Sequence, residues 1–147
     1  MIYWLTGNSG AGKTTLAYGV KDKLKAIVLD GDEMRATISK DEGLSPEDRH
    51  KHNMRVARLA NLLSMQGFPV IIAVIAPFTA TRAEIDKICK PRWIYIKRSG
   101  LGAEDRPYEE PLNASLTINN DKLSIAEAQN IFYNAVAEWS SRSSSRS

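Results

Sequence analysis

At 147 residues, 43% of them apolar and 25% charged, the chain fits one globular domain with a full core, and no apolar run reaches bilayer-spanning length. Two of its three net positive charges sit on Arg142 and Arg146 in the last eight residues, so the remaining body carries only +1 and a broad nucleic-acid surface is not expected. Cys89 is the only cysteine, which excludes an internal disulfide and disfavours a cysteine metal site; with no membrane segment or leader expected, the default location is cytoplasmic.

Ile2-Tyr3-Trp4-Leu5 reads as a short buried strand, and Gly7-Asn8-Ser9-Gly10-Ala11-Gly12-Lys13-Thr14 follows it directly. This stretch matches G-x-x-x-x-G-K-[ST], and a helix is expected from Lys13 to about Leu24. A strand feeding a glycine loop that opens a helix aims backbone N–H groups and the positive helix end at phosphate oxygens. Lys13 is then expected at the β- and γ-phosphates, with the Thr14 hydroxyl on Mg²⁺. The motif predicts a nucleoside-triphosphate site.

Ala26-Ile27-Val28-Leu29 predicts a second strand, ending in Asp30-Gly31-Asp32 ahead of a short helix over Glu33 to Ile38. Ser45-Pro46-Glu47-Asp48 is a strong helix start, with a serine N-cap and proline at the first position, and that helix should run to Met65. Val56, Leu59, Ala60 and Leu63 form its core face. Val70 to Ile75 is the best strand, ending at Ala76-Pro77-Phe78. A helix over Thr81 to Ile88 follows, with Thr81 and Glu84 spaced as a capping box. Trp93 to Ile96 reads as a fourth strand, residues 97 to 111 as a loop, Leu116 to Ile118 as a fifth strand, and Ser124 opens a last helix reaching Trp139. Residues 1–139 thus read as one domain and 140–147 as a disordered Ser/Arg tail, for which RNA binding is the weaker reading.

Alternating strands and helices predict an α/β fold with a parallel sheet, ligands binding at the strands' carboxyl ends. Three classes fit a P-loop: a small-molecule kinase, a GTPase switch, or a nucleic-acid or noncatalytic nucleotide-binding module, and the near-neutral body disfavours the nucleic-acid form. No D-x-x-G occurs, and Asn119-Asn120-Asp121-Lys122 does not match a guanine-reading N-K-x-D. A kinase needs a metal ligand, a group for the acceptor proton and cations near the γ-phosphate. Asp30 and Asp32 suit the first two, and Arg35, one turn on, suits an anionic acceptor. By themselves Asp30-Gly31-Asp32 would read as a turn and helix cap.

Beside the P-loop and Thr15, the stretches Leu29-Asp30-Gly31-Asp32-Glu33-Met34-Arg35 and Leu44-Ser45-Pro46-Glu47-Asp48-Arg49 resemble adenylylsulfate kinases. Ala76-Pro77-Phe78 stands in place of that family's S-P-Y, Pro107-Tyr108-Glu109-Glu110-Pro111 is similar to its P-Y-E-x-P, and Asp121-Lys122-Leu123-Ser124 also fits. The resemblance covers residues 2 to 138 and implies a P-loop fold with a five-stranded parallel sheet in the order 2-3-1-4-5, flanked by helices. It implies ATP-dependent phosphorylation of a nucleotide 3′-hydroxyl, from adenylylsulfate to 3′-phosphoadenylylsulfate, with ATP and Mg²⁺ as cofactors. The implied catalytic residues are Lys13, Asp30 and Asp32, with Asp30 as the acceptor-side carboxylate. Residues Gly7 to Thr15 would bind ATP, and Asp32, Arg35, Arg49, His52, Asn53, Ala76, Pro77 and Phe78 the acceptor. The expected partner is a small nucleotide acceptor, with neither nucleic acid nor membrane and with a homodimer allowed.

Departures from the family pattern bear on the acceptor. The family's asparagine three residues after the helix arginine is His52 here, followed by Asn53; with Arg49 these share a helix face at i, i+3, i+4. His50 points elsewhere and is expected to be solvated. Ala76, Phe78 and Thr79 replace serine, tyrosine and arginine. Between Ile96 and Pro107 only Lys97 to Arg106 remain, about twenty residues too few for the family's basic lid. Lys97, Arg98 and Arg106 read either as a solvated loop or as a reduced cationic cover. The alternatives are a relative acting on another nucleotide-linked acceptor, such as cytidine diphosphoramidate, and a noncatalytic ATP-binding regulator.

Overall fold

The computed structural model describes residues 1–101 and 108–145. Five strands form one parallel sheet: β1 (Ile2–Thr6), β2 (Ile27–Asp30), β3 (Val70–Ala73), β4 (Arg92–Lys97) and β5 (Leu116–Asn119). Their order is β2-β3-β1-β4-β5, as expected from the resemblance. The helices are α1 (Lys13–Leu24), α2 (Gly31–Ala36), α3 (Pro46–Met65), α4 (Thr79–Ile88) and α5 (Ile125–Ser145).

Alternation along β1 divides the core. Tyr3 and Leu5 point to the face covered by α1 and α5, where they meet Leu16, Val20, Ile96 and Phe132. Ile2 and Trp4 point to the other face, against Val56, Ala60, Ile72 and Ile85 of β3, α3 and α4. Both faces are therefore buried, the arrangement that parallel strands require. Each fully buried aliphatic or aromatic side chain contributes about 1.5–3 kcal/mol of apolar transfer free energy. The carboxyl ends of β1, β2 and β3 all open toward the P-loop.

Several boundaries differ from the sequence reading. β3 stops at Ala73 because side chains, not a neighbouring strand, take the next carbonyls: Trp4 Nε1 donates to Val74 at 2.9 Å and Thr6 Oγ1 to Ile75 at 2.6 Å. α2 starts at Gly31, two residues early, because the Asp30 carboxylate accepts from the amides of Asp32 and Glu33. The Thr81–Glu84 capping box does not form. α4 begins at Thr79, its first amide donates to Glu109, and Thr81 is buried against His50. α5 carries on to Ser145, past its expected end at Trp139 into the stretch expected to be disordered. Trp139 stacks on Tyr3, the Arg92 guanidinium carbon lies over the Trp139 ring 4.5 Å from its centroid, and Arg142 pairs with Glu138 one turn back, so the helix has anchors beyond the core. No helix among the described residues is long and apolar enough to cross a membrane.

Candidate active site

The P-loop joins β1 to α1 through positions that only glycine tolerates. A Cβ on Gly7 would lie 2.4 Å from the Ile96 carbonyl oxygen, and Gly12, at φ +107°, would meet Asn120 Nδ2 at 2.7 Å. Asn120 fixes the loop by donating to the Ala11 carbonyl at 2.7 Å, and Arg98 donates to Gly10 at 3.0 Å. Lys13 is buried at the mouth of α1, with Nζ donating to the carbonyls of Gly7 and Asn8, both at 2.7 Å. Burial pushes its ammonium down to about 8, and only the nearby Asp30 charge opposes that fall.

Thr14, next along α1, donates its hydroxyl to Asp30 Oδ1 at 2.6 Å. The second Asp30 oxygen caps α2, so both oxygens are engaged. Asp32 lies exposed on the first turn of α2, and among the described residues its carboxylate accepts no hydrogen bond. Thr14 and Asp30 together present hard oxygen donors, the chemistry that Mg²⁺ selects. No cluster of three His, Cys, Asp or Glu that could hold a metal occurs among the described residues, so an ion here would depend on phosphate oxygens for the rest of its shell.

A cleft of about 510 Å³ runs from this corner to α3. Asn8, Ser9, Gly10, Gly12, Lys13, Thr14 and Thr15 line one end, and Asp30 and Asp32 the middle. Arg35, Arg49, His52, Asn53, Ala76 and Pro77 line the other. Gly7, Ala11 and Phe78 are not on the wall: Gly7 and Ala11 serve through their carbonyls, and Phe78 precedes α4 as its N-cap. Of the expected cationic cover, Arg98 reaches the cleft, Lys97 is solvent-exposed, and Arg106 lies outside the described residues, as does Pro107.

The far end is strongly cationic. The Arg35 guanidinium is held below its usual range by burial and then by the like charge of Arg49, with the Asp32 carboxylate opposing that fall. His52 is 1% exposed, its Nδ1 is 2.7 Å from Ser39 Oγ, and its Nε2 is buried with no partner among the described residues. Burial, then Arg35 and Arg55, push its pKa down to about 4, leaving a neutral ring near pH 7. His50, expected to be solvated, is half-buried with Nδ1 3.1 Å from Thr81 Oγ1, tying α3 to α4.

Sequence reasoning missed two further features. A smaller pocket of about 100 Å³ beside Gly12, Thr15, Leu16, Arg98, Asn120 and Leu123 continues the P-loop end. Its residues come from the P-loop, α1, the segment just after β4 and the β5–α5 connection, so no local pattern unites them. Arg82, 6% exposed, holds the Ala76–Thr79 turn, with partners as far away in sequence as Glu109.

Residues 1–97 match the family model for adenylylsulphate kinase. A Paraburkholderia xenovorans adenylyl-sulfate kinase is 36% identical, with 86% of this chain and 87% of that protein covered. The chain belongs to the adenylylsulfate kinase family. A probable adenylyl-sulfate kinase of Archaeoglobus fulgidus is 34% identical over 82% of this chain and 96% of its own length. The structure of the Mycobacterium tuberculosis APS kinase CysC in complex with AMPPNP and APS superposes with a TM-score of 0.84 at 25% identity. It covers 92% of this chain and 96% of that one. The family match ends at Lys97, where this adenylylsulfate kinase relative turns into its short connection.

Proposed function

We propose that this chain uses ATP to phosphorylate the 3′-hydroxyl of adenylylsulfate, forming 3′-phosphoadenylylsulfate in sulfate activation. The observation that carries the reading is continuity: one cleft joins a phosphate-binding loop to a pair of arginines of like charge, with two carboxylates between. A bound oxyanion offsets that like charge, and the planar guanidinium fork pairs with phosphate and sulfate oxygens bidentately. The unpartnered Nε2 of His52 gains a hydrogen bond from the same acceptor, which answers the cost of leaving it orphaned.

ATP lies along the P-loop in this reading, with its base toward the small pocket at Leu16 and Leu123. Thr14, backed by Asp30, would hold Mg²⁺, which when bound neutralises charge on the β- and γ-phosphate oxygens. Lys13 supplies a buried cation beside the same phosphates. In the transfer, the acceptor 3′-oxygen bonds to the γ-phosphorus as the bond to the β–γ bridging oxygen breaks, and ADP leaves. The hydroxyl proton passes to a carboxylate. Asp32 suits that task because its oxygens are unengaged, whereas Asp30 is committed to Thr14 and the α2 amides. Dependence on ATP fits a cytoplasmic location.

Phosphorus NMR of a reaction with ATP, Mg²⁺ and adenylylsulfate tests the assignment. One new phosphomonoester resonance, at the 3′-position and equimolar with ADP, is expected. Transfer to cytidine diphosphoramidate and not to adenylylsulfate would move the acceptor while keeping the kinase. ATP binding without transfer to either would overturn it in favour of a regulator.

A further inference from the structure

The turn that leaves β3 is held by a buried arginine with no part in the transfer described above. Arg82 Nη1 donates to the Ala76 carbonyl at 2.8 Å, and Nη2 donates to the Glu109 carbonyl at 2.6 Å and to Thr79 Oγ1 at 3.2 Å. Its guanidinium carbon lies 5.7 Å from the centroid of the Tyr108 ring. Glu109 closes the assembly from its side. Its N–H donates to the Pro77 carbonyl at 2.8 Å, and its carboxylate accepts the first amide of α4, that of Thr79, at 3.0 Å. The Tyr108 hydroxyl is 2.8 Å from Thr6 Oγ1, which itself donates to Ile75.

The carbonyls of Ile75, Ala76 and Pro77 are thus all taken by one cluster. Ala76 needs that hold. It has φ +46°, a left-handed conformation that costs a non-glycine residue roughly 1 kcal/mol or more. Ala76 and Pro77 also form a wall of the cleft, opposite α3. We propose that Arg82 is a positioning residue: with the Tyr108–Glu109 segment it fixes the Ala76–Pro77 wall against which the acceptor lies. That this wall faces the acceptor rests on the kinase reading; the clamp itself does not. Lysine cannot replace Arg82, because one ammonium cannot span acceptors on both sides of the turn as the fork does.

Arg82→Lys and Glu109→Ala, compared with wild type, test the assignment through two readouts. The first is KM for adenylylsulfate and for ATP, measured separately. The second is hydrogen exchange at the amides of Thr79 and Glu109. The expected result is a rise of about tenfold in KM for adenylylsulfate, since small misplacement of a binding wall is costly. KM for ATP should stay within about twofold of wild type, and the clamp amides should lose protection while Lys13 to Thr15 keep theirs. A lowered melting temperature with unchanged KM for adenylylsulfate, or equal rises for both substrates, would show a merely structural arginine. Glu109→Ala removes the exposed cap on Thr79 and leaves the Arg82 bonds to backbone carbonyls in place, so it tests the Glu109 side of the clamp; should Arg82→Lys fail to fold, Arg82→Gln takes its place in both readouts. Wild-type enzyme inert toward adenylylsulfate would defeat the kinase reading, while the exchange pattern would still decide the clamp: protection unchanged at Thr79 and Glu109 overturns it.

Discussion

Lys13 is a charge kept largely out of solvent on the wall of the cleft, and that has a proton-linkage consequence. Its pKa is pushed down to about 8, so near that pH a sizeable fraction of the ligand-free protein carries a neutral amine. Phosphate oxygens bind the ammonium form and raise its pKa, so ATP binding takes up protons around pH 8 and weakens as pH rises above it. Calorimetric titrations with ATP at pH 8, in buffers of different ionisation enthalpy, should show uptake of roughly half a proton; zero uptake would mean that Lys13 does not meet the phosphates. Lys13 and Thr14 were legible in the sequence because the P-loop motif is local and its spacing fixed. Arg82 and His50 were not: their partners Glu109 and Thr81 lie 27 and 31 residues away, and side-chain patterning reports only near neighbours.

Helix α2 shows how one residue serves an element and a site together. Asp30 caps α2 and receives the Thr14 hydroxyl, so the helix cap read from Asp30-Gly31-Asp32 is present, and the site role proposed for Asp30 falls on the same carboxylate. Substitution separates the two aspartates. Asp30→Ala removes a helix cap and should cost about 1–2 kcal/mol in denaturant titrations, besides losing turnover. Asp32→Asn removes an exposed carboxylate that accepts no hydrogen bond among the described residues and acts on Arg35 only through its charge; stability should change by no more than about 1 kcal/mol while kcat falls by about 10²–10⁴-fold, the usual worth of a proton acceptor. Unchanged kcat in Asp32→Asn would return the proton to Asp30. The cap at α3 could be read ahead of the structure, since Ser45 accepts from the Asp48 amide as its spacing implied. The start of α4 could not. Its cap comes from Glu109, and the local Thr81–Glu84 spacing misled because Thr81 is turned inward to His50.

Across the whole molecule, the sheet order β2-β3-β1-β4-β5 brings the ends of β1, β2 and β3 together, which is what puts a phosphate loop, two carboxylates and a cationic pocket in one cleft. Apolar runs revealed the strands, and their order came with the family resemblance; spacing alone does not encode which strands pair. The end of the cleft proposed for the acceptor was legible as a set of residues on α2 and α3, because Arg49, His52 and Asn53 fall on one helical face. The orphaned nitrogen of His52 and the clamp behind Ala76 depend on packing between elements and appear only in three dimensions. In the proposed reaction the two ends of this cleft hold ATP and adenylylsulfate for direct transfer. The measurement to make is ADP release from ATP and Mg²⁺, with and without adenylylsulfate, in wild type and in Lys13→Ala. Release that requires adenylylsulfate and is abolished by the substitution is the predicted result; release indifferent to adenylylsulfate, or tight ATP binding with no release at all, would contradict it.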